Sequence, residues 1–175
     1  MPRLLADLAP LRESRDFRRL WTGTALSAVG TQLTLVAVSL EVYELTQSSL
    51  YVGMLGVVGL VPLVLAGLYG GSVVDAYDRR KVALFSAAIL WLTTIGIAVQ
   101  AWLGLESVWL LFALVAVNAG AGGLNHPARS AIIPRLVRPE LLPAANALSM
   151  ITFGIAMAAG PLLAGVLVGQ VGYGW

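Results

Sequence analysis

Gly70-Gly71-Ser72-Val73-Val74-Asp75-Ala76-Tyr77-Asp78-Arg79-Arg80-Lys81 is a short charged loop between two long apolar runs. Two glycines lead in, Asp75 and Asp78 supply the acids, and three consecutive cations close it. No other stretch packs so much charge between two apolar runs, so its side of the bilayer decides the topology. A membrane-crossing helix needs about 20 mostly apolar residues. Working outward from the loop with that criterion gives five spans, at about 20–42, 50–74, 82–103, 107–124 and 144–170. The chain is therefore read as an all-α membrane protein, with a leader at 1–19 and a transmembrane domain at 20–175.

The composition agrees. Of the 175 residues 58% are apolar, too many for a soluble domain of this size to hide from water, so the lipid bilayer is the natural partner. The absence of cysteine excludes disulfides, iron–sulfur clusters and zinc–thiolate sites. With one histidine, a metal site would need Asp and Glu for nearly all its ligands, and neither a metal nor a cofactor is expected.

The 11 cations sort by connection. Arg3, Arg12, Arg15, Arg18 and Arg19 precede the first span, Arg79, Arg80 and Lys81 follow the second, and Arg129, Arg135 and Arg138 follow the fourth. The alternate connections hold Glu41, Glu44 and Glu106 and no cation. The positive-inside rule then places the N-terminus in the cytoplasm and the end of the fifth span outside. Topology accounts for the cations, so no nucleic-acid site is expected. The leader lacks the compact apolar run and cleavage site of a signal peptide. It reads as a cytoplasmic segment on the membrane surface or, for 1–12, equally as a disordered basic tail. Val171-Gly172-Tyr173-Gly174-Trp175 reads as a turn opening a further helix, so a truncated chain is expected.

Small residues mark the helix faces. In the second span Gly53, Gly56, Gly59, Gly67, Gly70 and Gly71 fall within an arc of roughly 120°, a packing face in lipid, where close backbone approach drives association. Pro62 is expected to kink that helix. In the first span Gly23, Thr24, Ser27, Gly30, Thr31 and Thr34 share one face and Gln32 points away from it. In the fourth, Asn118, Ala121, Gly122, Asn125 and Arg129 make a polar stripe. Asn118 is either a contact on a substrate path or, more simply, an interhelical hydrogen bond. In the fifth, Gly160-Pro161 frees a backbone carbonyl and weakens the helix locally.

Gly71, Asp75, Arg79 and Arg80, between the second and third spans, resemble the signature loop of the major facilitator superfamily. Ala76 stands where the family has a cation and Asp78 where it has glycine, which implies a weaker or rewired latch. Ala156, Gly160, Pro161, Ala164 and Gly165 resemble that superfamily's exporter motif, with alanine at two glycine positions. An arginine usual in the middle of the fourth helix has no counterpart near Val115 or Ala116. Asp16-Phe17-Arg18-Arg19-Leu20-Trp21, Asn125-His126-Pro127-Ala128-Arg129 with Ile133-Pro134, and Ala144-Ala145-Asn146-Ala147-Leu148 resemble the enterobactin-exporter-like branch.

The resemblance implies five helices of an N-terminal six-helix bundle built from inverted three-helix repeats, with a C-terminal half missing. It implies efflux of a small amphipathic molecule, drug- or siderophore-like, by alternating access at a bacterial inner membrane. Gly71, Asp75, Arg79 and Arg80 would be the cytoplasmic gate, and the fifth-helix motif would control bending. Gln32 and Asn118 would line the path, and protons would be the coupling ion. No Asp or Glu within the spans is read as a protonation site. The rival readings are a non-transporting scaffold or remnant, and a membrane-embedded enzyme. The enzyme lacks any convergent set of catalytic groups.

Overall fold

A computed structural model describes residues 8–171, without the side chains of 73–75, 79 and 167–171. The start of the leader and the turn expected at 172–175 lie outside the described residues. Among the described residues seven α-helices follow one another: α1 (Ala9–Glu13), α2 (Arg15–Thr46), α3 (Ser49–Ala76), α4 (Arg79–Leu103), α5 (Val108–Ser130), α6 (Ile133–Leu136) and α7 (Leu142–Val171). A 3-10 turn, Pro139–Leu141, precedes α7, and no strand occurs among the described residues. Five of the helices are long and apolar enough to cross a membrane. Their outward surfaces are apolar, with Trp102 87% and Leu26 79% exposed, as suits groups facing lipid and not water.

Local chemistry sets the helix ends. Ser14 Oγ accepts from Phe17 N–H at 3.1 Å and opens α2 five residues before the expected start. At its other end α2 runs on to Thr46, so Glu41 and Glu44 are helical and not part of a connection. Gly104 closes α4 in the left-handed region at φ 59°, which glycine adopts without steric cost, and Ser107 opens α5 by accepting from Leu110 N–H at 3.4 Å. α3 and α7 continue through Pro62 and Pro161.

The connection expected at 125–143 is partly helix. α5 extends through Pro127 to Ser130 because Asn125 and Ala128 are buried there. An interior proline costs a helix about 3 kcal/mol, and burial with hydrogen bonding of the final turns offsets it.

Packing groups the chain into two units, 38–132 and 1–37 with 133–175. Within the first, α5 packs on both α3 and α4. Its small residues Gly120 and Gly123 meet α3, and Asn118 and Asn125 on nearly the opposite side meet α4. One end is sealed by a cluster of Val38, Val42, Leu55, Ile97, Leu111 and Phe112. Trp109 packs edge-on to Phe112 with ring centroids 5.9 Å apart.

Within the second unit, Phe17, Val137, Ala145 and Leu148 form a separate cluster, flanked by Leu11, Trp21 and Leu141. Arg138 pairs with Glu13 above it, and the Glu13 carboxylate pushes the Arg138 guanidinium further above its usual range. The pair is exposed, so the apolar cluster and not this bridge holds α1 against α7.

Candidate functional site

The charged loop contracts to two residues between helices. Asp75 lies in the last turn of α3 and Arg79 begins α4, and the side chains of both lie outside the described residues. Arg80 is exposed, and its N–H donates to Asp78 Oδ1 at 2.9 Å. Asp78, at the position where a glycine was looked for, is the N-cap of α4, and its negative charge suits the positive end of the helix. Gly71 is exposed with open space where a Cβ would stand. Its neighbour Gly70 makes the close approach, with Leu124 Cδ2 at 3.3 Å and Gly123 O at 3.6 Å from the Cβ position.

The stripe of glycines on α3 therefore divides. Gly59 and Gly70 face α5, whereas Gly53, Gly56, Gly67 and Gly71 meet nothing within 4 Å. The tightest contact comes from the other helix: a Cβ at Gly123 would lie 2.8 Å from Ala66 Cβ and 2.9 Å from Leu63 O. Gly123 is thus what lets α5 approach the α3 backbone.

Asn118 is half-buried and donates through Nδ2 to Thr93 Oγ1 at 2.6 Å. It is the middle rung of a ladder between α4 and α5. Asn125 Nδ2 donates to Ala83 O at 3.0 Å and Ser86 Oγ at 2.8 Å, and Gln100 Nε2 donates to Ser107 O at 3.3 Å. Ser86, Thr93 and Gln100 recur every seven residues and all are buried. A seven-residue recurrence keeps one seam facing a neighbour along two helices packed at a shallow angle. The three α4 residues went unnoticed in the sequence, although that recurrence was visible there.

In the other unit the structure brings together two residues singled out for different reasons. Gly160 of α7 is buried, and a Cβ there would run into Gln32 Cβ of α2. Ala156 and Ala164, one turn to either side of Gly160, are 2% and 5% exposed. These three form one buried seam, while Pro161 and Gly165 are exposed and Gly165 has open space beyond it.

A recess of about 500 Å³ opens at the end away from the cations, lined by Thr46, Tyr51, Glu106, Ser107, Val108 and Trp109. Neither Gln32 nor Asn118 lines it. Among the described residues no cluster of His, Asp and Glu could hold a metal.

Comparison with known proteins places this arrangement. The sequence profile of a family described as transmembrane secretion effector matches residues 5–175. The enterobactin exporter EntS of Salmonella typhi is 28% identical over 171 residues, covering 98% of this chain and 41% of that protein. The EntS proteins of Citrobacter koseri and Escherichia coli O139:H28 are 28% and 27% identical over the same coverage. The chain thus spans 41% of the length of these relatives. No solved structure matches the chain.

Proposed function

The chain belongs to the transmembrane secretion effector family, of major facilitator type, and on that premise we propose that it forms the N-terminal part of an exporter of a small amphipathic molecule. The observation that carries this reading is that the family match runs through all five membrane helices. Relatives named as enterobactin exporters favour a siderophore-like or drug-like substrate. Such transporters bind substrate near the membrane midplane between two helical halves and rock around it.

In this reading the protein lies in a bacterial inner membrane with its N-terminus in the cytoplasm. A C-terminal half completes the cavity and protons drive the cycle. Gly71, Asp75, Arg79 and Arg80 act at the cytoplasmic gate, with Asp78 holding the start of α4 beside them. The α7 seam of Ala156, Gly160 and Ala164 works against α2, with Pro161 and Gly165 leaving the adjacent face free to bend. Gln32 reaches the path only from its amide end, since its stem covers Gly160. Asn118 reaches it only by sharing or releasing its bond to Thr93.

The test is export from cells lacking their own siderophore and drug exporters. The complete reading frame should restore release of a catecholate siderophore or a lipophilic dye, and Asp75→Asn should abolish it. Unchanged release with the frame expressed in the membrane would refute the reading. Sidedness is separately testable because the chain has no cysteine. A cysteine at Tyr77 should react only with reagents inside the cell, and one at Glu106 with impermeant reagents outside.

A further inference from the structure

The recess at the end away from the cations belongs wholly to the unit 38–132. Thr46 closes α2, Tyr51 lies in the first turn of α3, and Glu106 to Trp109 make the turn into α5. Its volume, about 500 Å³, is that of a small-molecule site. The walls are partly aromatic. Tyr51 and Trp109 both lean on the buried ring of Phe112, with centroids 6.4 Å and 5.9 Å from it. The rings are therefore held in place before any ligand arrives, yet Trp109 stays 71% exposed.

The polar lining carries one sign. Thr46 Oγ1 donates to Val42 O at 2.7 Å and Ser107 Oγ accepts from Leu110 N–H at 3.4 Å, so both hydroxyls serve helix ends. The charged group of the lining is the exposed Glu106 carboxylate. No Lys or Arg occurs between Arg19 and Arg79 or between Lys81 and Arg129, so the connections of this end hold none to neutralise it. Exposed Glu44, in the last turn of α2, adds like charge. The positive end of α5, about half a unit charge, offsets only part of it. Glu106 sits in the left-handed region at φ 46°, and Gln47, which adjoins Thr46, at φ 51°. No other non-glycine residue has positive φ among the described residues. A side chain in that region is strained, and such strain clusters at ligand sites.

An acid beside aromatic rings attracts a cation. A metal ion would need several oxygen ligands, and this lining offers one carboxylate. A weakly hydrated organic cation needs only rings and a counter-charge. We propose that the recess binds an organic ammonium group, with Glu106 as its counter-ion and Tyr51 and Trp109 as the walls against its carbon substituents. Two sources carry that chemistry, an ethanolamine phospholipid headgroup and a dissolved alkylammonium ion. The chemistry is independent of the export proposed above, and only the placement on the outer side rests on that reading.

The experiment is fluorine NMR of the purified chain carrying 5-fluorotryptophan, in maltoside micelles, which contain no ammonium group. The Trp109 resonance is identified by its loss in Trp109→Phe. Tetramethylammonium chloride should shift it saturably and leave the other tryptophans unmoved, and sodium chloride at equal concentration should not. Glu106→Gln should weaken binding about 5-fold, the attraction of two unit charges across about 4 Å of water. Glu106→Asp and Glu44→Gln should each keep most of the affinity. In lipid nanodiscs, a Trp109 shift already present in phosphatidylethanolamine and absent in phosphatidylglycerol would identify the headgroup as occupant. The same spectrum in both, with tetramethylammonium shifting each, would identify a dissolved ion. No saturable shift in micelles, an equal response to sodium, or unchanged affinity in Glu106→Gln would overturn the proposal.

Discussion

Replacing Gly160 by alanine tests the α2–α7 seam most directly. The added methyl would collide with Gln32 Cβ and sit 3.1 Å from its Cγ and 3.5 Å from its Cα. Cβ and Cα are fixed to the backbone, so no rotamer change relieves the contact and the helices must part. Overpacking of this kind costs about 1–3 kcal/mol. Alanine is also a better helix former than glycine by about 1 kcal/mol, which would mask part of the loss. Gly165→Ala carries the same gain with open space around it, so the difference between the two variants isolates the collision.

For a chain of this length about 1 kcal/mol shifts the melting temperature by roughly 2–4 °C. Gly160→Ala should therefore melt about 2–12 °C below Gly165→Ala when intrinsic tryptophan fluorescence follows unfolding in detergent. Gln32→Gly removes the opposing Cβ and should restore part of the loss in the double variant, whereas Gln32→Ala keeps that carbon and should not. Equal melting of the two glycine variants, or rescue by Gln32→Ala as full as by Gln32→Gly, would refute the close approach.

The same logic applies within the other unit. Gly123→Ala should destabilise by about 1–3 kcal/mol through its contact with Ala66 and the Leu63 carbonyl, while Gly122→Ala, with nothing within 4 Å, should not, as paired melting curves would show. Asn118→Ala and Thr93→Val should each cost about 0.6–2 kcal/mol, and a double-mutant cycle should show them coupled; additive losses would mean that the bond contributes nothing. Asp78→Ala should cost about 0.5–2 kcal/mol as a lost N-cap, measured by denaturation, and Asp78→Ser should recover most of it.

Much of the fold was legible because membrane insertion is read from local sums. Each span is an apolar run of sufficient length, and all five appear as helices. The ends were less legible. Pro127 reads as a helix stop, and only the burial of Asn125 and Ala128 shows why α5 continues past it. Glu44 reads as a loop acid until α2 is seen to run on to Thr46. The charged loop is legible as a motif, but the capping role of Asp78 depends on where α4 begins.

By itself, then, the sequence determined the membrane class, the number of spans and the residues in which small size or charge is unusual. These follow from composition and period, which need no partner. Which small residues are contacts was decided only in three dimensions. Six glycines share an arc of α3, yet Gly59 and Gly70 face α5 and four face open space. Gln32 and Gly160, 128 positions apart in the chain, touch. A helix presents every face equally to its own sequence, and only the crossing of a second helix selects one.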